Sequence, residues 1–593
     1  MCILVVIGVL GGLLLATGQE ERKPCTVNFG ENSSGVGVLN RTFNGIVYCE
    51  YLGIRYAEPP VGVQRFKNPT LRAPNGTEEY TNLGSICPQL DALGHATKVL
   101  GEEDCLFMNV YSPAVPGGND TVRKYPVLVY IHGGSYAIWS PQTDMFGVDL
   151  LIESGILIVS FNYRLFVLGF LRHPEFNITG NFGLKDQLVA MQWVQRYVAP
   201  FGGDPSNITV MGQSVGAHSV TYHMHLEPFR GLFHRAIAMS GSLLAPSAMI
   251  YVPENFTRTY LESIHLTSYD QLMEAPFKEL FLFPPTNRRF VFATIGLPIF
   301  LPTMENANEL GALLTKPSHE LILEEPVNQV PLMIGMTATE FTPHFTEEML
   351  FCADDNFPNR GNVTVLQMVR KLIAKAALLA RKIEPQGAGR HFYGKLTDMA
   401  NMYFPVKRLL KELREVHRYR APIFYYRFEY DGRFGKYKNM FYKGELDESY
   451  GGAMHGDDLG YLFSPYVVKQ ALANRSAFET EWKVTERNVE QFSNFVKFGN
   501  PTPGKSDNIN VLWPAFNSNL STPQLLNIND ENEVREDDDR WNFIYQLWSR
   551  IHECLFYYDC SPVEDLLDKV ERLSSGSLSS VKLEDLFDDE NMT

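Results

Sequence analysis

Apolar and polar residues follow two rhythms along this chain. Short β-branched or aromatic runs, each closed by a turn, are followed by stretches in which apolar residues recur every three to four positions. Tyr125 to Ile131 (YPVLVYI) and Ile156 to Phe161 (ILIVSF) read as buried strands, because unbroken apolar runs of that length suit strands covered on both faces. Leu184, Leu188, Met191 and Val194 then share one helical face in GLKDQLVAMQWVQRYV. After the turn FGGDPSN the pattern predicts a strand over Ile208, Thr209, Val210 and Met211, then a helix from about Val215 through His225. Further core strands are expected at Ala236 to Met239, Pro331 to Met336 and Ile423 to Tyr430. Such alternation predicts an α/β fold with a large, mostly parallel central sheet flanked by helices. The helix-rich stretches from roughly Tyr251 to Leu323 and Cys352 to Tyr419 read as insertions on one side of that sheet.

Both ends of the chain break the rhythm. An apolar run from Ile3 to Leu15 precedes Ala16-Thr17-Gly18, a small-x-small pattern, so residues 1–18 are expected to be a signal peptide. A signal anchor is the alternative, although the run is short for a span. Residues 19–560 are expected to form one large domain, since no repeat, Pro-rich linker or low-complexity tract divides them. Residues 561–593 read as an acidic, Ser-rich tail with an amphipathic helix around Val563 to Leu573. No later segment offers about 20 uninterrupted apolar residues for a membrane span. The expected location is therefore extracellular or the secretory lumen.

Composition fits that route. Eleven Asn-x-Ser/Thr sequons are glycosylation candidates: Asn32, Asn40, Asn75, Asn119, Asn177, Asn207, Asn255, Asn362, Asn474, Asn519 and Asn591. A net charge of −16 offers no electrostatic footprint for polyanions, so nucleic acid is not an expected partner. Beyond the leader stand seven cysteines: Cys25, Cys49, Cys87, Cys105, Cys352, Cys554 and Cys560. An oxidising compartment favours disulfides over metal thiolates, and no CxxC or HExxH occurs, so neither metal nor cofactor is expected. The odd count leaves at least one thiol free or paired between chains.

Candidate chemistry centres on Gly212-Gln213-Ser214-Val215-Gly216, the only G-x-S-x-G in the chain. Chance would supply roughly one such match in every four chains of this length and glycine content. Its place between a strand and a helix is what makes it informative. A nucleophilic serine needs a sharp, strained turn that lifts its hydroxyl above the sheet, and flanking glycines let strand and helix approach closely. The helix N-terminus then aims N–H groups at developing negative charge. His132-Gly133-Gly134-Ser135-Tyr136, at another strand's end, supplies a second set of donors; Gly133, Gly134 and Val215 are the expected oxyanion hole. Serine also needs a base oriented by a carboxylate. Fourteen histidines are available, and composition does not select among them. His455, in GGAMHGDDLGYLF, and Glu340, in PLMIGMTATEF, sit where loops could return them to the strands' C-terminal edge.

These segments together resemble the type-B carboxylesterase and cholinesterase family of α/β-hydrolases over nearly the whole mature length. GIRYAEPPVGVQRF, EDCLFMNVYSP, the HGGSY loop, NYRLFVLGFL, FGGDPSNITVMGQSVGA, MHGDDLGYLF and KFGNP followed by LWPAF all look like the family's motifs in the family's order. The resemblance implies Ser214 as nucleophile, His455 as general base, Glu340 as orienting acid and an active-site gorge walled by the helical insertions. It also implies a Cys87–Cys105 disulfide, a structural ion pair between Glu103 and Arg164, and a supporting place near the triad for Ser240. Four features depart from the family's pattern, one being that no cysteines stand between Cys105 and Cys352 for the second disulfide loop common in vertebrate relatives. Gln213 stands where many relatives carry Glu, Phe341 follows the acid where many have Gly, and the Cys87 to Cys105 loop lacks the Trp that cholinesterases use as a cation–π platform. The expected substrates are small neutral carboxylic esters rather than choline esters. An adhesion protein of the same fold without catalysis, and a lipase, are the rival readings. Oligomeric state is not legible.

Overall fold

The computed structural model describes residues 24–30, 32–91, 98–115, 124–142, 146–251, 253–281, 300–340, 363–385, 391–416, 419–435, 438, 452–463, 471, 475–516, 524–537, 542–557 and 559–575. The signal-peptide segment, Phe341, Cys352 and residues 576–593 lie outside them, as do the side chain of Asn255 and all of Asn119, Asn362, Asn474, Asn519 and Asn591.

In chain order the strands are β1 (Pro24–Gly30), β2 (Ser33–Arg41), β3 (Val47–Arg55), β4 (Thr77–Glu79), β5 (Gln89–Leu90), β6 (Val99–Leu100), β7 (Phe107–Ser112) and β8 (Tyr125–Ile131). They continue as β9 (Leu157–Phe161), β10 (Gly203–Gln213), β11 (Arg235–Met239), β12 (Leu332–Thr337), β13 (Ile423–Phe428), β14 (Gln524–Ile528) and β15 (Glu533–Glu536). All but the β5–β6 ribbon join one sheet ordered β1-β2-β3-β7-β9-β8-β10-β11-β12-β13-β14-β15, with β4 beside β2. From β9 across to β14 every neighbouring pair is parallel, and the outer pairs β1–β2, β2–β3, β3–β7, β7–β9 and β14–β15 are antiparallel.

Alternation along a strand explains the unbroken apolar runs. Val127, Val129 and Ile131 of β8 enter the larger core on one face, while Leu128 and Tyr130 enter the core on the other. Each face must therefore be covered. Helices Phe182–Tyr197 and Val215–His225 cover the first face through Leu184, Met191, Val194, Ala217 and Val220, and helix Glu479–Phe498 covers the second through Val484, Phe492 and Phe495. The helix expected near Val563 forms over Ser561–Ser575 and buries Val563, Leu566, Leu567 and Val570 in the larger core. On its outer side Lys371 and Lys375 both reach Glu571, at 2.7 and 2.8 Å.

Three disulfides tie the described chain. Cys87–Cys105 forms as the resemblance implied; Cys25–Cys49 links β1 to β3, and Cys554–Cys560 fastens the last helix to its predecessor. The ion pair read between Glu103 and Arg164 is corrected. Glu103 instead receives a fork from Arg65, at 2.6 and 2.7 Å, and Arg164 forks onto Asp186 at 2.8 and 2.7 Å. The Arg164 backbone N–H also donates to Asp186, at 2.9 Å, so a fully buried carboxylate on helix Phe182–Tyr197 accepts from both the backbone and the side chain of Arg164. Among the described residues, no helix is long and apolar enough to cross a membrane.

Candidate active site

Strand β10 runs into Ser214, whose backbone sits at φ 59°, ψ −126°, and helix Val215–His225 begins at the next residue. A β-carbon carrying residue pays for that conformation in strain, which is the mark of a functional turn when the surroundings hold it there. The surroundings are tight. A Cβ added to Gly212 would lie 2.2 Å from the Gly216 carbonyl oxygen, and one on Gly216 would lie 2.3 Å from that of Ile131. Only glycines let β10, β8 and the helix converge under the serine. The Ser214 N–H donates to Met239 at 2.9 Å, which anchors the turn to β11.

The HGGSY loop leaves β8 beside this elbow. Gly134 has φ +96°, with Ser135 and Tyr136 also left-handed at 56°. Gly133 lies flat against Gln213 and Ser214, since a Cβ there would be 2.8 Å from Gln213 oxygens and 3.0 Å from the Ser214 Cβ. Tyr163 donates its hydroxyl to the His132 carbonyl at 2.9 Å, and His132 stacks on the Tyr163 ring at 4.5 Å. Among the described residues the N–H groups of Gly133, Gly134 and Val215 donate no hydrogen bond within the chain. Val215 opens its helix, so its N–H stands at the positive end of that helix dipole.

Glu340 follows β12 and is fully buried. Its Oε1 accepts from the Ser240 hydroxyl and the Thr337 N–H, both at 2.8 Å, and its Oε2 lies 2.5 Å from His455 Nδ1. The two loops are also stitched through the backbone, His455 N to Glu340 O and Thr339 N to Ala453 O, both at 3.0 Å. Tyr403 donates its hydroxyl to the Ala338 carbonyl at 2.9 Å. On the far side of the imidazole, Gln213 Nε2 lies 3.1 Å from His455 Nε2. No hydrogen bond joins the Ser214 hydroxyl to His455 among the described residues; resting sites of this kind often tighten only around substrate.

Burial dominates the electrostatics of the groups around the site. Burial pushes His218, one helical turn beyond Ser214, down to about 3, with a smaller contribution from His455. Burial likewise raises Asp458 to about 8, helped by the charge of Glu340, and Asp457 to about 6. The Oδ2 of Asp458 accepts from the Tyr426 hydroxyl at 3.2 Å. Among the described residues, no group of three or more His, Cys, Asp or Glu side chains is placed to hold a metal.

Ser214, Glu340 and His455, read from separate segments, are thus brought to one sheet edge, with Gly133, Gly134 and Val215 around them and Ser240 behind the acid. Residues that the sequence did not single out also take part in the site. Tyr403 lies in a helical insertion with no motif around it, His218 follows the serine turn by one helical repeat, and Asp458 sits inside the quoted MHGDDLGYLF.

A strained serine at the β10-to-helix turn, a carboxylate after β12 and an imidazole after β13 define an α/β-hydrolase. Residues 36–544 match the model of the Carboxylesterase family. The juvenile hormone esterase of Heliothis virescens is 30% identical over 506 residues, covering 80% of this chain and 86% of that protein. Esterase E4 of Myzus persicae is 28% identical, over 86% of this chain and 92% of its own. Among solved structures, the juvenile hormone esterase of Manduca sexta superposes with a TM-score of 0.70 at 24% identity, covering 90% of this chain and all of that one. The chain belongs to the Carboxylesterase family, and it is a carboxylic ester hydrolase.

Proposed function

We propose that this protein is a secreted serine esterase that cleaves neutral carboxylic esters through an acyl-enzyme on Ser214. The observation that carries the reading is the 2.5 Å contact between Glu340 and His455 Nδ1 beside the strained Ser214. With Nδ1–H donating to a buried carboxylate, Nε2 keeps its lone pair and serves as the base. Ser214 Oγ attacks the ester carbonyl while His455 takes its proton, and the carbonyl electrons move onto the oxygen held by Gly133, Gly134 and Val215. His455 then protonates the departing alkoxide, leaving an ester on Ser214. Water repeats the sequence and releases the acid. Losing one oxyanion donor from such a site typically costs about 2.7–4 kcal/mol in the transition state.

The leader, the sequons and the three disulfides support a secretory route. An uncharged Gln213 and a Trp-free Cys87 to Cys105 loop support neutral esters over cationic ones. Ser214→Ala is expected to abolish covalent labelling by an organophosphate and hydrolysis of a short-chain aryl ester; retained turnover would overturn the assignment. A panel varying acyl and alcohol size, with a choline ester included, reads the substrate class. Fast choline-ester turnover would refute the neutral preference, and a jump in activity above substrate solubility would indicate a lipase. A wild-type chain inert to every ester would favour the adhesion role.

A further inference from the structure

The side chain of Gln213 spans the two halves of the site. It is fully buried, its Oε1 lies over Gly133 where a Cβ would approach to 2.8 Å, and its Nε2 lies 3.1 Å from His455 Nε2. An amide nitrogen can only donate, so in this arrangement His455 Nε2 accepts. The imidazole is then held from both ends, as a donor to Glu340 at Nδ1 and as an acceptor from Gln213 at Nε2.

We propose that Gln213 is a positioning residue that holds His455 in its base-competent tautomer through the hydrogen bond to Nε2. This rests on the esterase reading only for its kinetic consequence. The bond favours the neutral ring, because an imidazolium would set an N–H against the amide N–H. When Ser214 Oγ bonds to the substrate carbonyl and its proton passes to Nε2, the amide must let go, and rotation of its terminal torsion can present Oε1 instead. A glutamate at this position would act in the opposite sense: ionised, it accepts and stabilises the imidazolium. Among the described residues, other titratable groups near the ring are Glu340 at Nδ1, Asp457 and Asp458 on its own segment, and His218 from helix Val215–His225, which burial pushes down to about 3. None of these changes in a Gln213 variant.

The test compares wild type with Gln213→Glu and with Gln213→Met, which has similar length but no amide. Two quantities are followed against pH: kcat/KM for a neutral aryl ester, and the downfield proton resonance of His455 Nδ1–H, identified by its loss in His455→Ala. In Gln213→Glu both midpoints are expected to move upward by about one pH unit, as for a new opposite charge near an imidazole. In Gln213→Met they are expected to move upward by less, with kcat reduced about tenfold at neutral pH and KM within about twofold. Resonance midpoints unchanged in both variants would overturn the proposal whatever the activity. Resonance shifts as expected in a protein that hydrolyses no ester would uphold the Gln213 contact and sink the esterase reading.

Discussion

Ser240 donates its hydroxyl to Oε1 of Glu340 at 2.8 Å, while the other oxygen of the same carboxylate faces His455. Together with the Thr337 N–H, this serine satisfies the oxygen that does not hold the base, which fixes the plane of a fully buried carboxyl group. A hydrogen bond to a charged acceptor contributes roughly 1.5–3 kcal/mol. Ser240→Ala is therefore expected to lower kcat roughly tenfold to a hundredfold with little change in KM, measured by steady-state hydrolysis of an aryl ester. An unchanged kcat would show that Thr337 alone suffices.

Gly134→Ala should disable the oxyanion loop. Its φ of +96° is costly for alanine, and the new Cβ would lie 2.2 Å from the Ile138 carbonyl oxygen. Displacing the donors is expected to cost a factor of about 10² to 10³ in kcat. Labelling of Ser214 by an organophosphate should slow in parallel, and near-normal turnover would remove Gly134 from the oxyanion hole.

The Arg65–Glu103 fork is the connection that the sequence reading misassigned, and it can be weighed. Arg65 also donates to the carbonyls of Leu272, Met273 and Ala275, so one guanidinium fastens the segment before β7 to a helical insertion. Both side chains are mostly buried, at 7% and 13% exposure. Arg65→Met is expected to destabilise by about 3–5 kcal/mol in urea unfolding, because it strands a buried carboxylate. Adding Glu103→Gln should recover part of that loss, and additive losses would argue against the pair.

Stability should also depend on pH through His552. Burial pushes it down to about 3, with Arg408 and His319 adding to the shift, and its ring stacks on Phe556 at 4.4 Å. A histidine depressed in the folded state is protonated first in the unfolded chain, so stability falls as pH drops below about 6.5 toward 3. At pH 5 this amounts to about 2 kcal/mol for one such group. His552→Phe keeps the stack and removes the titration, so its stability relative to wild type should improve by about that amount between pH 7 and pH 5. Chemical unfolding at the two pH values measures it, and a constant difference would contradict the buried neutral state.

How much of this was legible in the sequence follows from the range of each interaction. The runs around Val129, Val159 and Val210 announce strands covered on both faces, because side chains two apart share a face and both faces here meet a core. The spacing of Gly212 and Gly216 about Ser214 is equally local: no residue with a Cβ fits where strand and helix converge. Motif order along the chain then assigned Glu340 and His455, and it paired Cys87 with Cys105. Tertiary structure alone decided which charge meets which. Glu103 and Arg164 looked like partners, yet Asp186 takes Arg164 through both backbone and side chain and leaves Glu103 to Arg65. The contact between Gln213 and His455 joins residues 242 apart in sequence. No local propensity encodes such a pairing; it exists because parallel strands deliver their C-terminal loops to one edge of the sheet, and side-chain direction there is set by packing.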